Sequence, residues 1–169
     1  MTTFEPKRNA CATPSPNRAA PIYRTTDEPV SLVQAVQNAV HEIDERMLHR
    51  VARVDAGLAF QPRTLLAMLT FCYAKEIYGS EQIEDVMRRD LNFRRLCQNE
   101  FPDAHLIRRF RRDNREVIYW CVMAALQFLF EQKVADGTVT KINDLQVAEE
   151  AKRRITMAMF IDSMELNGD

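Results

Sequence analysis

The segment VIYWCVMAALQFLF, Val117 to Phe130, carries one polar side chain in fourteen residues. A membrane-spanning helix needs roughly 18 or more apolar residues, so the run is too short to be read as a span. A helix that is apolar around its whole circumference needs other helices around it, which predicts that this segment is the centre of a buried core. Nowhere in the chain does an apolar/polar alternation or a hairpin signal appear, and the apolar positions elsewhere recur every three to four residues. The expected fold class is therefore all-α: one bundle of about six helices.

Proline placement sets the boundaries. Five of the seven prolines stand at positions 6, 14, 16, 21 and 29, among Ser, Thr, Asn and Arg, so residues 1–30 read as a disordered leader and 31–169 as the helical domain. Ser31 can cap a first helix in which Val33, Val36, Val40, Ile43, Met47 and Val54 form a three-and-four seam ending near Gly57. Such a seam fits packing within the domain or a partner helix. Pro62 opens a second helix that stops at Gly79, Ser80 caps a short third, and Asp90 caps a fourth that turns Leu91, Phe93, Leu96 and Cys97 inward. Pro102 and Asp103 start a fifth helix, which either runs on into the Val117–Phe130 segment or breaks at Asp113 and Asn114. Gly137 ends it, and Asn143 with Gln146 caps the last helix.

Several chemistries are disfavoured. With four glycines in the chain there is no GxGxxG or GxxxxGK[ST] loop to cradle phosphates. His41, His49 and His105 belong to no HExxH or His–Cys cluster, so no metal and no other cofactor is expected. Cys11, Cys72, Cys97 and Cys121 lie far apart without a CxxC pair and read as buried thiols of a reducing cytoplasm. No secretory signal opens the chain, and the expected location is cytoplasmic, without membrane contact. Asp144 and Asp162 sit in no apolar strand and are not assigned to a catalytic set.

Charge is local. The chain carries a net charge of -1, yet nine arginines face four acids between Arg88 and Arg115, a local excess of +5. In HLIRRFRRDNR, a helical advance of about 100° per residue puts Leu106, Ile107 and Phe110 on one arc and His105, Arg108, Arg109 and Arg112 on the other. Glu81, Glu84 and Asp85 lie within reach of Arg88 and Arg89, so part of the charge can be spent on intrahelical pairs. From charge and periodicity alone, solvated surface and phosphate contact both remain open.

The stretch from Phe60 to Cys97, followed by FPDAHLIRRFRRDNR, resembles the InsH-type N-terminal helical domain of DDE-class insertion-sequence transposases. The resemblance is carried by Pro62, Leu65, Leu66, Ser80, Ile83, Asp90, Phe93, Arg94, Leu96, Pro102, Asp103, Ile107, Phe110 and Arg111, with residues 60–115 as its best-matching part. It implies a DNA-binding and assembly module that precedes a catalytic domain. The chain ends at Asp169, before strands that would carry a catalytic Asp, so the expectation is a non-catalytic protein. The resemblance also implies a helix-turn-helix-like unit built from the helices at Ser80 and Asp103. The expected DNA contacts are His105, Arg108, Arg109, Arg112 and Arg115, flanked on phosphates by Arg88, Arg89, Arg94 and Arg95. DNA at element ends is the expected partner, and Arg108→Ala with Arg112→Ala is expected to weaken binding. The alternative is a helical dimerisation or transposase-docking protein that does not touch DNA, built on the first helix and the helix around Trp120, and acting as an inhibitor of transposition.

Overall fold

The structure, a computed structural model, describes residues 30–44, 46–47, 61–97 and 101–167. These residues form seven helices and no strand: α1 (Leu32–His41), α2 (Pro62–Ala74), α3 (Ser80–Arg89), α4 (Leu91–Leu96), α5 (Ala104–Asp113), α6 (Arg115–Ala135) and α7 (Asp144–Asn167). The fold is an all-α bundle. The expected leader before Val30, Cys11, and the seam residue Val54 with Gly57 lie outside the described residues.

Ser31 caps α1 as expected, its Oγ accepting the Gln34 N–H at 3.2 Å. Val36, Ala39 and Val40 are buried, and α1 packs on α2 and α6, so the described part of the three-and-four seam is used up inside the bundle. The helix ends at His41 instead of continuing towards Gly57. Just beyond it the Asp44 carboxylate accepts the Arg46 N–H at 2.9 Å, a local bond at a break after which Arg46 and Met47 are helical again.

The centre of the core is α2. Every residue from Thr64 to Ala74 is buried, and α2 contacts α1, α4 and α6. The Val117–Phe130 segment does not occupy that place: α6 buries Val117, Ile118, Cys121, Val122, Ala125 and Leu126, while Trp120 on its far side is 45% exposed. Only one side of the helix is enclosed, with Trp120 and Ala124 exposed on the other, because an apolar run can be long without each member finding a neighbour. With its flanking turns α6 reaches 21 residues, long and apolar enough by itself to cross a membrane; here it packs on α1, α2 and α7.

Two helix ends depart from expectation. α2 stops at Ala74, and Glu76 takes the left-handed conformation (φ 61°), with the Ile77 N–H donating to Cys72 O (2.9 Å) and the Glu76 N–H to Tyr73 O (3.2 Å). That bond pair closes the helix in the way a glycine usually does. Gly79 instead precedes α3, where an added Cβ would stand 2.6 Å from Glu165 Oε1. Ser80 does not cap α3 but lies within its first turn, its hydroxyl turned to α7. The open question between α5 and α6 is settled as a break at the buried Asn114, whose backbone (φ −127°, ψ 32°) leaves the helix and whose Nδ2 donates to Phe110 O at 3.0 Å. Gly137 (φ 73°) ends α6, and Asn143 Oδ1 accepts the Leu145 N–H at 3.0 Å at the start of α7.

Cys72, Cys97 and Cys121 are buried, and the Cys97 thiol lies 3.8 Å from Met87 Sδ. Burial holds the Cys72 thiol well above its usual range and pushes Cys121 up to about 12, so both stay protonated and act as small apolar side chains.

Candidate nucleic-acid interface

The arginine-rich surface is built on α3 and α5. Asp103 caps α5, its Oδ1 accepting the Leu106 N–H at 2.7 Å, and Ile107 and Phe110 anchor the helix in the core. Glu84 of α3 accepts the Ala104 N–H at 3.0 Å, while Glu81, earlier on α3, pairs with Arg108, later on α5. The two contacts run in opposite directions, so α3 and α5 lie antiparallel. Arg88 and Arg89 therefore extend beyond the first turn of α5, and Arg112 and Arg115 lie at its other end. The α3–α5 pairing is the one expected, but residues 90–103, with α4 among them, join the two helices. That connection is far longer than the 3–4-residue turn of a helix-turn-helix.

The candidate residues differ in what surrounds them. His105, Arg94 and Arg115 are exposed, and Arg94 Nη2 donates to Arg88 O at 2.8 Å, tying it to the α3 end of the surface. The Arg88 and Arg89 side chains are 64% and 75% exposed although each meets a carboxylate one turn back, Glu84 at 2.8 Å and Asp85 at 3.0 Å. Arg112 is 70% exposed beside Asp113. Arg109 is half-buried. The Arg95 side chain lies outside the described residues.

Arg108 is not on the exposed arc where the sequence put it. Its Nη2 donates to Glu165 Oε2 of α7 at 2.9 Å and to Glu81 Oε1 at 3.0 Å, its Nε lies 3.8 Å from Asp162 Oδ1, and the side chain is 19% exposed. The bond to Glu165, with those to Glu81 and the charge of Asp162, raises the guanidinium pKa further above its usual value despite partial desolvation. On the helical circumference Arg108 is a flank residue next to Arg111, and α7 passes over that flank.

Arg111 is buried, at 1% side-chain exposure. Its Nη1 donates to Asp162 Oδ2 (2.6 Å) and Ala158 O (2.8 Å), its Nη2 to Tyr78 O (2.8 Å), and its guanidinium lies 5.4 Å from the centre of the Tyr73 ring. Asp162 also accepts from the Ser80 N–H (3.2 Å) and Ser80 Oγ–H (2.7 Å), so a carboxylate from a different helix closes the N-terminus of α3. One signal for this cluster was present: Arg111 follows Ile107 by four residues, on the buried arc, and Asp162 stands four beyond Ala158 on the buried stripe of α7. Around Arg108 and Arg111 three carboxylates, Glu81, Asp162 and Glu165, meet two guanidiniums. Among the described residues no three His, Cys, Asp or Glu side chains are grouped so as to hold a metal ion.

Neither a curated protein nor a solved structure matches the chain. The transposase domain family (DUF772) matches residues 23–113, further upstream than the 60–115 stretch that carried the resemblance. The match runs from before α1 to the end of α5 and so contains every candidate arginine except Arg115, while α6 and α7 follow it. It covers just over half of the 169 residues, and the chain belongs to this transposase domain family.

Proposed function

We propose that this chain is a DNA-binding and assembly module of a transposase system, that it engages DNA at element ends, and that it does no strand chemistry itself. The observation that carries the reading is the pair of outward basic groups at the two ends of α5: Arg88, Arg89 and Arg94 at one, Arg112 and Arg115 at the other. A ten-residue helix is about 15 Å long. The two groups thus stand about a helix length or more apart, the scale on which phosphates flank a major groove about 12 Å wide, and the exposed His105 lies in the first turn of α5. Phosphate contact asks only for position and charge, which exposed arginines supply even where a surface carboxylate is near, because such exposed pairs hold by less than about 1 kcal/mol. The non-catalytic part of the reading rests on the carboxylates: those that converge do so on guanidinium groups.

Fluorescence anisotropy with a labelled duplex tests it. Affinity should fall with salt at a log–log slope of about -0.9 per phosphate neutralised, and Arg88→Ala with Arg112→Ala should make that slope shallower by about 1.8. Binding that ignores both salt and the double change rejects the reading.

A second reading, assembly through a second copy of the chain, is favoured by the outward side of α7. There Met157, Phe160 and Met164 recur at three-and-four spacing while 37%, 58% and 59% exposed. The α1 seam does not favour it, since its described residues pack within the bundle.

A further inference from the structure

We propose that α7 carries a built-in competitor for DNA phosphate: Glu165, together with Glu81 of α3, occupies the Arg108 guanidinium and keeps it from contributing to nucleic-acid binding. The inference rests on the DNA-binding reading and deepens it by saying which arginine is withheld, and by what. Three observations support it. Arg108, an expected contact on α5, has a side chain only 19% exposed, and its cover is made of carboxylates from two other helices. Both Glu81 and Glu165 accept from Nη2, so the two N–H groups of that nitrogen, which could otherwise donate to a phosphate, are spent on carboxylates. The local balance is also unfavourable to DNA: three carboxylates against two guanidiniums leave an excess of one negative charge at the middle of a surface that is basic at both ends.

The two glutamates differ in how firmly they are placed. Glu81 is 66% exposed and bound to one partner, so it can be displaced at little cost. Glu165 is 23% exposed and its carboxylate lies beside Gly79, 2.6 Å from where a Cβ would stand. α7 itself is fixed by Arg154, whose Nη1 donates to Tyr73 O and Ala74 O, and by the buried Asp162. The competitor is therefore a standing feature of the bundle, and its removal requires neutralising the carboxylates rather than lifting the helix.

The test uses the full chain and a duplex of random sequence of ~30 base pairs, long enough for sequence-independent phosphate contact. Four proteins are compared with wild type by anisotropy across a salt series, with thermal melts to confirm folding. Glu81→Gln/Glu165→Gln keeps hydrogen-bonding capacity while removing both charges. A charge-matched control, Glu131→Gln/Glu149→Gln, alters exposed glutamates on α6 and α7. Arg108→Met is made alone and in the first double variant. The expected result is a gain of about tenfold at about 50 mM salt for Glu81→Gln/Glu165→Gln, with a slope steeper by about 0.9, as one more phosphate contact requires. The control should gain less than threefold, and Arg108→Met should abolish the gain in the double variant while changing wild type less than twofold. If wild type binds with a salt-dependent slope and the first double variant is unchanged or matches its control, the competitor is overturned and the DNA reading stands. If none of the proteins binds, both fall. Should the triple variant lose its cooperative melt, the salt slope of the double variant against its control decides.

Discussion

Asp162 accepts three hydrogen bonds, two from Ser80 and one from Arg111, and in doing so joins α3, α5 and α7. Replacing it with alanine would leave a guanidinium of 1% exposure without its counter-charge and the Ser80 N–H without an acceptor. Breaking a buried pair from one side costs about 3–5 kcal/mol, so Asp162→Ala should lower the unfolding free energy by that amount in urea titration; a loss under 1 kcal/mol would mean that the pair is not buried in solution. Glu150 makes a different, pH-dependent contribution. Bonds from Arg153, then Arg154, hold its carboxyl down at about 2 against partial desolvation. A carboxylate lowered on folding stabilises the fold above its ordinary value of about 4.3, and that stabilisation is lost as pH falls from there towards 2. Melting temperature against pH should accordingly drop more steeply below pH ~4.3 for wild type than for Glu150→Gln. The role of Asp162 is not legible in the sequence because its partners come from other helices, whose facing directions periodicity does not fix, whereas Glu150 meets Arg153 and Arg154 at the i+3 and i+4 spacing that the sequence itself carries.

Helix ends illustrate how elements were and were not legible. Gly137 reads as a stop in the sequence and is one in the structure, its φ of 73° being one that glycine adopts without steric cost. Gly79 marks the end of α2 too late, because the residue that takes the left-handed turn is Glu76. Its Oε1 receives a bond from Arg154 Nη2 at 2.9 Å, while Arg154 Nη1 satisfies the last carbonyls of α2, so a distant helix supplies what a local glycine would have. A non-glycine residue at positive φ costs about 1–2 kcal/mol, and the Glu76 side chain is 63% exposed, which limits its ion pair to less than about 1 kcal/mol. Glu76→Gly should thus be neutral to stabilising, by up to about 1 kcal/mol, whereas Gly137→Ala, which meets open space but an unfavourable φ, should destabilise by about 1 kcal/mol. Chemical denaturation of the two variants checks the opposite signs.

For the molecule as a whole, core and surface are divided between two apolar helices. α2 is enclosed, α6 is enclosed on one side, and α7 turns Met157, Phe160 and Met164 outward. If a second copy covers that side of α7, sedimentation velocity should show a concentration-dependent dimer in wild type that Phe160→Glu removes. The change should cost the monomer less than about 0.5 kcal/mol, since a 58% exposed side chain contributes little to the fold. Dimers that survive Phe160→Glu would place the contact elsewhere. Acrylamide quenching of Trp120, the single tryptophan, gives an independent readout: at 45% exposure it should quench readily in the monomer.

Periodicity and punctuation in the sequence were sufficient for the all-α class, the Ser31 and Asp103 caps, the stop at Gly137 and the transposase-type pattern from Pro62 to Arg111, because each depends on residues within a turn or two of one another. Which apolar helix is central, why Arg108 is covered while Arg112 is open, and what neutralises Arg111 were decided only when α7 packed across α2, α3 and α5. Charge in the sequence is a sum over residues; charge at a surface depends on which carboxylate arrives from another part of the chain, and that is a property of tertiary packing alone.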